Sequence, residues 1–315
     1  MKNFLSVEDV SGIDSLIDQA MVFKKDPYAQ EFIGKRKTLG LIFFNPSLRT
    51  RLSTIKAAHH LGMQTIVMNV SKDSWKLETA QGAVMDAGNA EHIKDAAAVM
   101  GSYCDILGVR SFAKLQDRNV DYSEKTLASF VRYAGVPIIN LESPTVHPLQ
   151  SLTDLMSIKE VVNNKNAKIV LAWAPHVKSL PQAVANSFAQ WVNKTSHKLV
   201  ISCPKGFELS PEFTGKATIH HDQYSAYRSA DVIYAKNWSS YNDYGKIGNH
   251  ADWIIDKQKM SHTNNGIFMH CLPVRRNVVV KDEVLDSEES IHIQQASNRV
   301  WAAQAVLFSI LKDTG

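Results

Sequence analysis

The sequence predicts an α/β protein of two doubly wound, parallel-sheet domains. Three observations carry that prediction. The chain has 315 residues, too many for one compact core of ordinary size. Short apolar runs alternate with helical patterns almost to its end, the signature of parallel strands covered by helices. Its 44% apolar and 21% charged content is that of a soluble globular protein.

The strands are expected, in order, at Leu39–Phe44, Gln64–Val70, Cys104–Val109, Val136–Leu141, Lys168–Ala174, Lys198–Cys203, Asp231–Ala235, Gly266–His270 and Ser290–Ile293. Helical spacing separates most of them, as in His92–Met100, Lys125–Tyr133, Leu149–Val162 and Gln182–Val192. A long helix after His147-Pro148 would leave the first sheet and enter the second. This gives a first domain over residues 1–146 and a second over 147–293, with a terminal helix, 294–315, packing back on the first.

Composition narrows the function. The net charge of +4 is spread along the chain with no basic stripe, which argues against nucleic acid. Cys104, Cys203 and Cys271 form no C-x-x-C pair, so a reduced, cytoplasmic setting is expected. The N-terminus is acidic where a signal peptide needs an apolar core. No apolar run approaches the ~20 residues that would span a bilayer.

Ligands of open α/β sheets collect beyond the C-terminal ends of strands. There this chain places Ser47-Leu48-Arg49-Thr50-Arg51, Arg110, Glu142 with His147-Pro148-Leu149-Gln150, His176, Lys236, and His270-Cys271-Leu272-Pro273 with Arg275-Arg276. Ser47 to Arg51 sit where a strand becomes a helix, where free N–H groups and the helix dipole favour an anion. Arginines there add forked donors that suit phosphate. No G-x-G-x-x-G, phosphate-binding P-loop, H-E-x-x-H, cysteine-rich metal knot or G-x-S-x-G is present. The edge suits transfer from a phosphorylated small molecule to an acceptor.

These residues resemble the transcarbamylase family, which moves a carbamoyl group from carbamoyl phosphate to an amine. The family's S-T-R-T-R is Ser47-Leu48-Arg49-Thr50-Arg51 here, with leucine for the first threonine. H-P-x-Q is His147-Pro148-Leu149-Gln150, and H-C-L-P is His270-Cys271-Leu272-Pro273. The resemblance implies an active site in the cleft between the two domains. Ser47, Leu48, Arg49 and Thr50 would hold the phosphate, with Arg299 nearby. Arg110, His147 and Gln150 would orient the carbamoyl group, and Thr50, Arg110 and His147 would polarise its carbonyl. Cys271 and Leu272 would offer backbone carbonyls to the carbamoyl nitrogen and the incoming amine. The resemblance further implies no metal or organic cofactor, and a homotrimer in which Trp75 and Glu91 reach a neighbour's site.

The acceptor is read from departures within the family. Ornithine enzymes carry T-D-V-W…S-M-G, whereas this chain has Ala235-Lys236-Asn237-Trp238-Ser239-Ser240-Tyr241. Lysine cannot pair with an ammonium, so the α-amine is expected to be acylated. The resemblance then implies transfer to the side-chain amine of an N-acylated ornithine, giving N-acylcitrulline and phosphate in arginine biosynthesis. Glu142, His176, Lys236, Leu272 and Arg276 become candidate acceptor contacts, with Glu91 from a neighbour. Gln304 resembles the succinylornithine enzymes and Glu91 the acetylornithine enzymes, so the acyl group stays open between the two. Asn89 is taken as a helix cap, which would place Glu91 in the first helical turn. A plain ornithine or other amine carbamoyltransferase and a metabolite sensor without turnover are the alternatives.

Overall fold

A computed structural model describes residues 1–70 and 72–314; Gly315, the end of the expected terminal segment, lies outside the described residues. The chain divides into two compact units. The first contains residues 1–114, 119–149 and 299 onward, and the second contains residues 115–118 and 150–298.

In the first unit α1 (Ile13–Lys25) precedes β1 (Thr38–Phe43), α2 (Arg49–His60), β2 (Gln64–Asn69), β3 (Leu77–Glu78), β4 (Glu91–His92), α3 (Ile93–Tyr103) and β5 (Ile106–Arg110). The short α4 (Arg118–Tyr122) straddles the division, and α5 (Lys125–Tyr133) and β6 (Ile138–Glu142) follow. Four strands form one sheet in the order β2-β1-β5-β6, and every pairing is parallel. Parallel strands are covered on both faces and read as near-continuous apolar runs. Accordingly β5 and β6 are buried at every residue. Ile42, Leu107, Val109 and Ile138 pack with Ile93 and Ala97 of α3 and with Leu127 and Phe130 of α5.

The chain then enters α6 (Pro148–Val161), whose proline occupies the first helical position, where no backbone donor is lost. The second unit contains β7 (Lys168–Trp173), α7 (Ala183–Asn193), β8 (Lys198–Ser202), α8 (Pro211–Thr214), β9 (Thr218–His220), α9 (Gln223–Tyr227), β10 (Val232–Lys236), α10 (Lys257–Met260), β11 (Ile267–Met269) and α11 (Asp282–Leu285). Its sheet runs β11-β10-β7-β8-β9, again parallel throughout. Val170, Ala172, Ile233, Ala235 and Phe268 from the strands meet Ala226 and Tyr227 of α9 in its core. α12 (His292–Thr314) closes the chain and also crosses the division, at Asn298/Arg299.

Each sheet reverses its winding once. The chain runs outward from β1 to β2, then returns past β1 to β5 and β6. In the second unit it runs β7, β8, β9, then returns past β7 to β10 and β11. The switch points lie between β1 and β5 and between β7 and β10.

Two expectations fail locally. Ser290–Ile293 is no strand: a single bridge pairs Ser290 with Phe268, and α12 begins at His292. That apolar-polar run is too short to ladder before the helix takes over. Glu91 is not in a helical turn. It lies in β4, paired with Leu77, and the cap of α3 is His92, whose side chain accepts from Lys94 N. Asn89 instead donates to Glu78 Oε2 at 2.7 Å. The edge strand β9 escaped detection because it is three residues long and mostly exposed.

Gly101 marks how closely α3 lies against the end of α5. A Cβ built there would collide with the Ala134 carbonyl oxygen. Because the obstacle is backbone, Gly101→Ala is expected to cost at least about 2 kcal/mol, a fall in Tm of roughly 4 °C or more. Differential scanning calorimetry checks this, and a change below about 1 °C would show that the two elements part easily.

Candidate active site

In the first unit, β1 delivers the chain to Phe44-Asn45-Pro46 and then to the start of α2. Asn45 Oδ1 accepts from Phe112 N at 2.7 Å, which ties this turn to the segment after β5. α2 begins at Arg49 with Leu48 as its cap residue, and no side-chain bond closes that cap. The start of a helix, with its N–H groups and the positive end of the dipole, suits an anion. Leu48 is exposed (67%). Thr50 is buried, and its Oγ1 accepts from Nη2 of buried Arg299 at 2.6 Å. A cavity of about 210 Å³ opens beside the turn, with Asn45, Pro46, Ser47, Arg51 and Lys72 in its lining. Two cationic walls there suit an anion.

Arg110, on the last residue of β5, is buried and held from several directions. Its Nη1 donates to the Pro46 carbonyl. Its Nη2 pairs with Glu142 Oε2 at 3.0 Å. Its guanidinium lies 4.3 Å from the centre of the Phe112 ring. The ladder slips between Val109 and Arg110, so that Arg110 faces Glu142. His147 Nε2 lies 3.6 Å from the same Glu142 oxygen. A single buried carboxylate thus pairs with an arginine and lies beside a histidine of the predicted carbamoyl set. Among the described residues, Arg110 Nε has no hydrogen-bond partner, which leaves a buried donor unspent. Glu142, expected as an acceptor contact, lies beside Arg110 and His147.

Trp75 and Glu91 also meet. The indole Nε1 donates to Glu91 Oε2 at 2.7 Å. The loop between them is built around Glu78, which accepts from Thr79 N, Ala80 N and Asn89 Nδ2. These bonds hold the Glu78 carboxyl below its ordinary pKa, the Ala80 N–H bond first.

In the second unit, Gln150 occupies the first turn of α6 and donates to Asp154 Oδ1 at 2.7 Å. Gln295 Nε2 reaches the same oxygen at 2.6 Å, and Gln295 Oε1 accepts from His270 N at 2.9 Å. Leu272 N donates to His270 Nδ1 at 2.9 Å, and Leu272 takes a positive φ of 57°. One buried aspartate therefore links Gln150 to the His270-Cys271-Leu272 turn. Tyr234, fully buried beside Asp154 and Cys271, has its phenol pushed well above its ordinary pKa, chiefly by burial.

The switch point of the second sheet carries His176 after β7 and Lys236 at the end of β10. Arg275 Nε donates to His176 Nε2 at 3.3 Å, and His176 Nδ1 lies 2.9 Å from the Lys178 carbonyl. Accepting at Nε2 requires the proton on Nδ1. Burial lowers the His176 pKa, and Lys236, Arg275 and Lys178 lower it further against the Lys178 carbonyl bond, which raises it. A neutral imidazole among three cations is an environment for a carboxylate. Arg276, expected in that role, points elsewhere. It pairs with Asp282 at 2.8 Å and Asp286 at 2.7 Å, and those carboxylates raise its pKa further.

Sequence reasoning missed Asp154 and Gln295, and it placed Arg275 at the strand edge but gave the acceptor contact to its neighbour Arg276. Asp154 follows Gln150 by one helical turn, so i,i+4 spacing could have found it. Arg275 and Arg276 are adjacent after one strand, and only geometry separates them.

Residues 2–160 match the carbamoyl-P binding domain of aspartate/ornithine carbamoyltransferases, and residues 159–310 match their Asp/Orn binding domain. The chain is 47% identical over 315 residues to an N-succinylornithine carbamoyltransferase of Bacteroides thetaiotaomicron, covering 99% of each. It is 36% identical over 339 residues to an N-acetylornithine carbamoyltransferase of Xanthomonas axonopodis pv. citri, covering 100% of this chain and 98% of that one. A solved glutamate-to-proline mutant of N-acetyl-L-ornithine transcarbamylase, complexed with carbamyl phosphate and N-succinyl-L-norvaline, superposes with a TM-score of 0.92 at 37% identity, covering 98% of this chain and 100% of that one. The chain belongs to the aspartate/ornithine carbamoyltransferase family, and it is a carbamoyltransferase.

Proposed function

We propose that the chain transfers the carbamoyl group of carbamoyl phosphate to the side-chain amine of an N-acylated L-ornithine, releasing N-acylcitrulline and phosphate in arginine biosynthesis. The single observation that carries the acceptor is the cluster of His176, Lys236 and Arg275 at the second switch point. It offers cations and a neutral imidazole where a free α-ammonium would need an acid. The relatives named for N-succinylornithine and N-acetylornithine support the same acceptor class.

In this reading phosphate sits on the N–H groups of Leu48, Arg49 and Thr50, with the Ser47 hydroxyl and Arg49 guanidinium. Arg110 and His147 point donors at the carbamoyl oxygen, Gln150 at its amide, and the Cys271 and Leu272 carbonyls accept from its nitrogen. The amine attacks the carbamoyl carbon, the C–O electrons move onto oxygen, and a tetrahedral oxyanion forms. Collapse expels phosphate, and the amine proton leaves with solvent or phosphate. Fixed donors at the oxyanion and at the leaving group do the catalytic work. The reaction belongs in a reducing cytoplasm, in keeping with three cysteines that form no disulfide. Trp75 and Glu91, on a shared loop, serve the site of a neighbour in a homotrimer.

Glu91 favours the acetyl substrate. Two carboxylates about 4 Å apart repel by roughly 4 kcal/mol at an effective dielectric near 20, and by about 1 kcal/mol in bulk water. A second reading, the succinyl substrate, is favoured by the higher identity to the succinylornithine enzyme.

Three measurements test this. Arg49→Ala removes charge-assisted bonds worth about 1.5–3 kcal/mol each, so kcat/KM for carbamoyl phosphate should fall by at least about tenfold with an unchanged far-ultraviolet spectrum. Retention of activity would remove Arg49 from the phosphate site. Glu91→Pro should shift the ratio of kcat/KM values towards N-succinylornithine, and the proline mutant solved in the relative indicates that such a fold tolerates the exchange. An unchanged ratio would mean that residue 91 does not read the acyl group. Finally, subunit exchange between inactive Arg49→Ala and Trp75→Ala chains should restore activity if sites are shared. No recovery, with mixed oligomers verified by native mass spectrometry, would assign each site to one chain.

A further inference from the structure

Gln304 is fully buried, in α12, and both ends of its amide are engaged. Its Oε1 lies 3.0 Å from Nδ1 of His60, the last residue of α2. Its Nε2 donates to the Pro27 carbonyl at 2.7 Å. Because Oε1 can only accept, His60 carries its proton on Nδ1. The imidazole is buried, stacked on Trp301 at 5.5 Å and 14°, and met edge-on by Tyr28 at 5.0 Å. Burial lowers the pKa of His60, and Lys56 and His59 add to this, against the Gln304 bond, which raises it.

The same helix α12 holds the other end of α2, where Arg299 donates to Thr50. α2 is therefore fastened to one partner helix at its first turn and at its last residue. Both ties fall on one continuous helix of 12 residues, Arg49–His60, which moves as a rod. Release of the distal tie would let α2 rock about Thr50 and displace the N–H groups at its start. A displacement well under an ångström there weakens every bond to a bound anion together.

We infer that Gln304 and His60 are positioning residues for the phosphate-binding end of α2, and that residue 304 sets affinity for carbamoyl phosphate while leaving the choice of acyl group alone. The inference rests on reading the start of α2 as the phosphate site. It gives a role to a residue whose side chain is committed to the base of α2.

The test uses the full chain, with carbamoyl phosphate varied at saturating acylornithine and inorganic phosphate as product inhibitor. Gln304→Leu removes the tie, and His60→Phe removes it while keeping a ring against Trp301. Both should raise KM for carbamoyl phosphate and Ki for phosphate by about fivefold, the size of one net buried hydrogen bond. kcat and the ratio between acetylated and succinylated acceptors should stay within about twofold of the parent. Gln304→Glu keeps an acceptor for His60. It should restore most of the affinity and raise the His60 titration midpoint seen by NMR, since a carboxylate favours the charged ring. That variant is nearly isosteric, so it remains informative if the apolar variants do not fold, and an unmoved midpoint overturns the inference. Unchanged KM and Ki in folded Leu and Phe variants, or a shifted acceptor ratio, also overturn it. If Arg49→Ala leaves KM unchanged as well, the phosphate site itself has been misread; if Arg49→Ala raises KM, only the positioning role falls.

Discussion

The parallel pairing of β1 with β5 is the constraint on which the first half of the site depends. Both strands run the same way, so their following loops emerge on one edge. The chain turns to opposite sides after each of them, which leaves the edge open between the two loops. Into that gap β1 delivers the uncapped start of α2, and β5 delivers Arg110. The same geometry recurs between β7 and β10, which deliver His176 and Lys236. No side chain could assemble these groups from such distant parts of the sequence without the order reversal in each sheet.

Given that edge, the chemistry depends on groups held still. Arg110 is fixed by a backbone carbonyl, a carboxylate and an aromatic face, so its planar fork is oriented before any ligand arrives. Taking Arg110 and Glu142 out of water is costly, and removal of one partner of such a pair typically costs about 3–5 kcal/mol. The arrangement provides a preorganised, buried cationic donor. Asp154 serves the second unit in a similar way, since one buried oxygen accepts from Gln150 and from Gln295, and Gln295 in turn accepts from the His270 backbone.

The alternation of strand and helix was legible because parallel strands are apolar along their whole length, as in Ile138–Glu142. So was the anion-attracting character of the edge, because hydroxyl, arginine and histidine residues fall directly after strands. The positions that misled are those where local signals compete with tertiary contacts. Asn89 has the chemistry of a helix cap, yet Glu78 captures its amide and His92 does the capping. Arg275 and Arg276 are alike in sequence. Asp282 and Asp286, which engage Arg276, lie further along the chain, and helical periodicity does not register that pairing. The ion pair of Arg110 with Glu142 was likewise not legible, because it depends on the register slip at Arg110.

The central claim is that carbamoyl phosphate donates to an ornithine whose α-amine is acylated. The most direct measurement compares kcat/KM for N-acetylornithine, N-succinylornithine and free ornithine with the purified chain, read as carbamoylated product. The account predicts turnover of at least one acylated ornithine and, for want of an acid partner to the α-ammonium, at least about a hundredfold lower value for free ornithine. Equal or faster carbamoylation of free ornithine would contradict it.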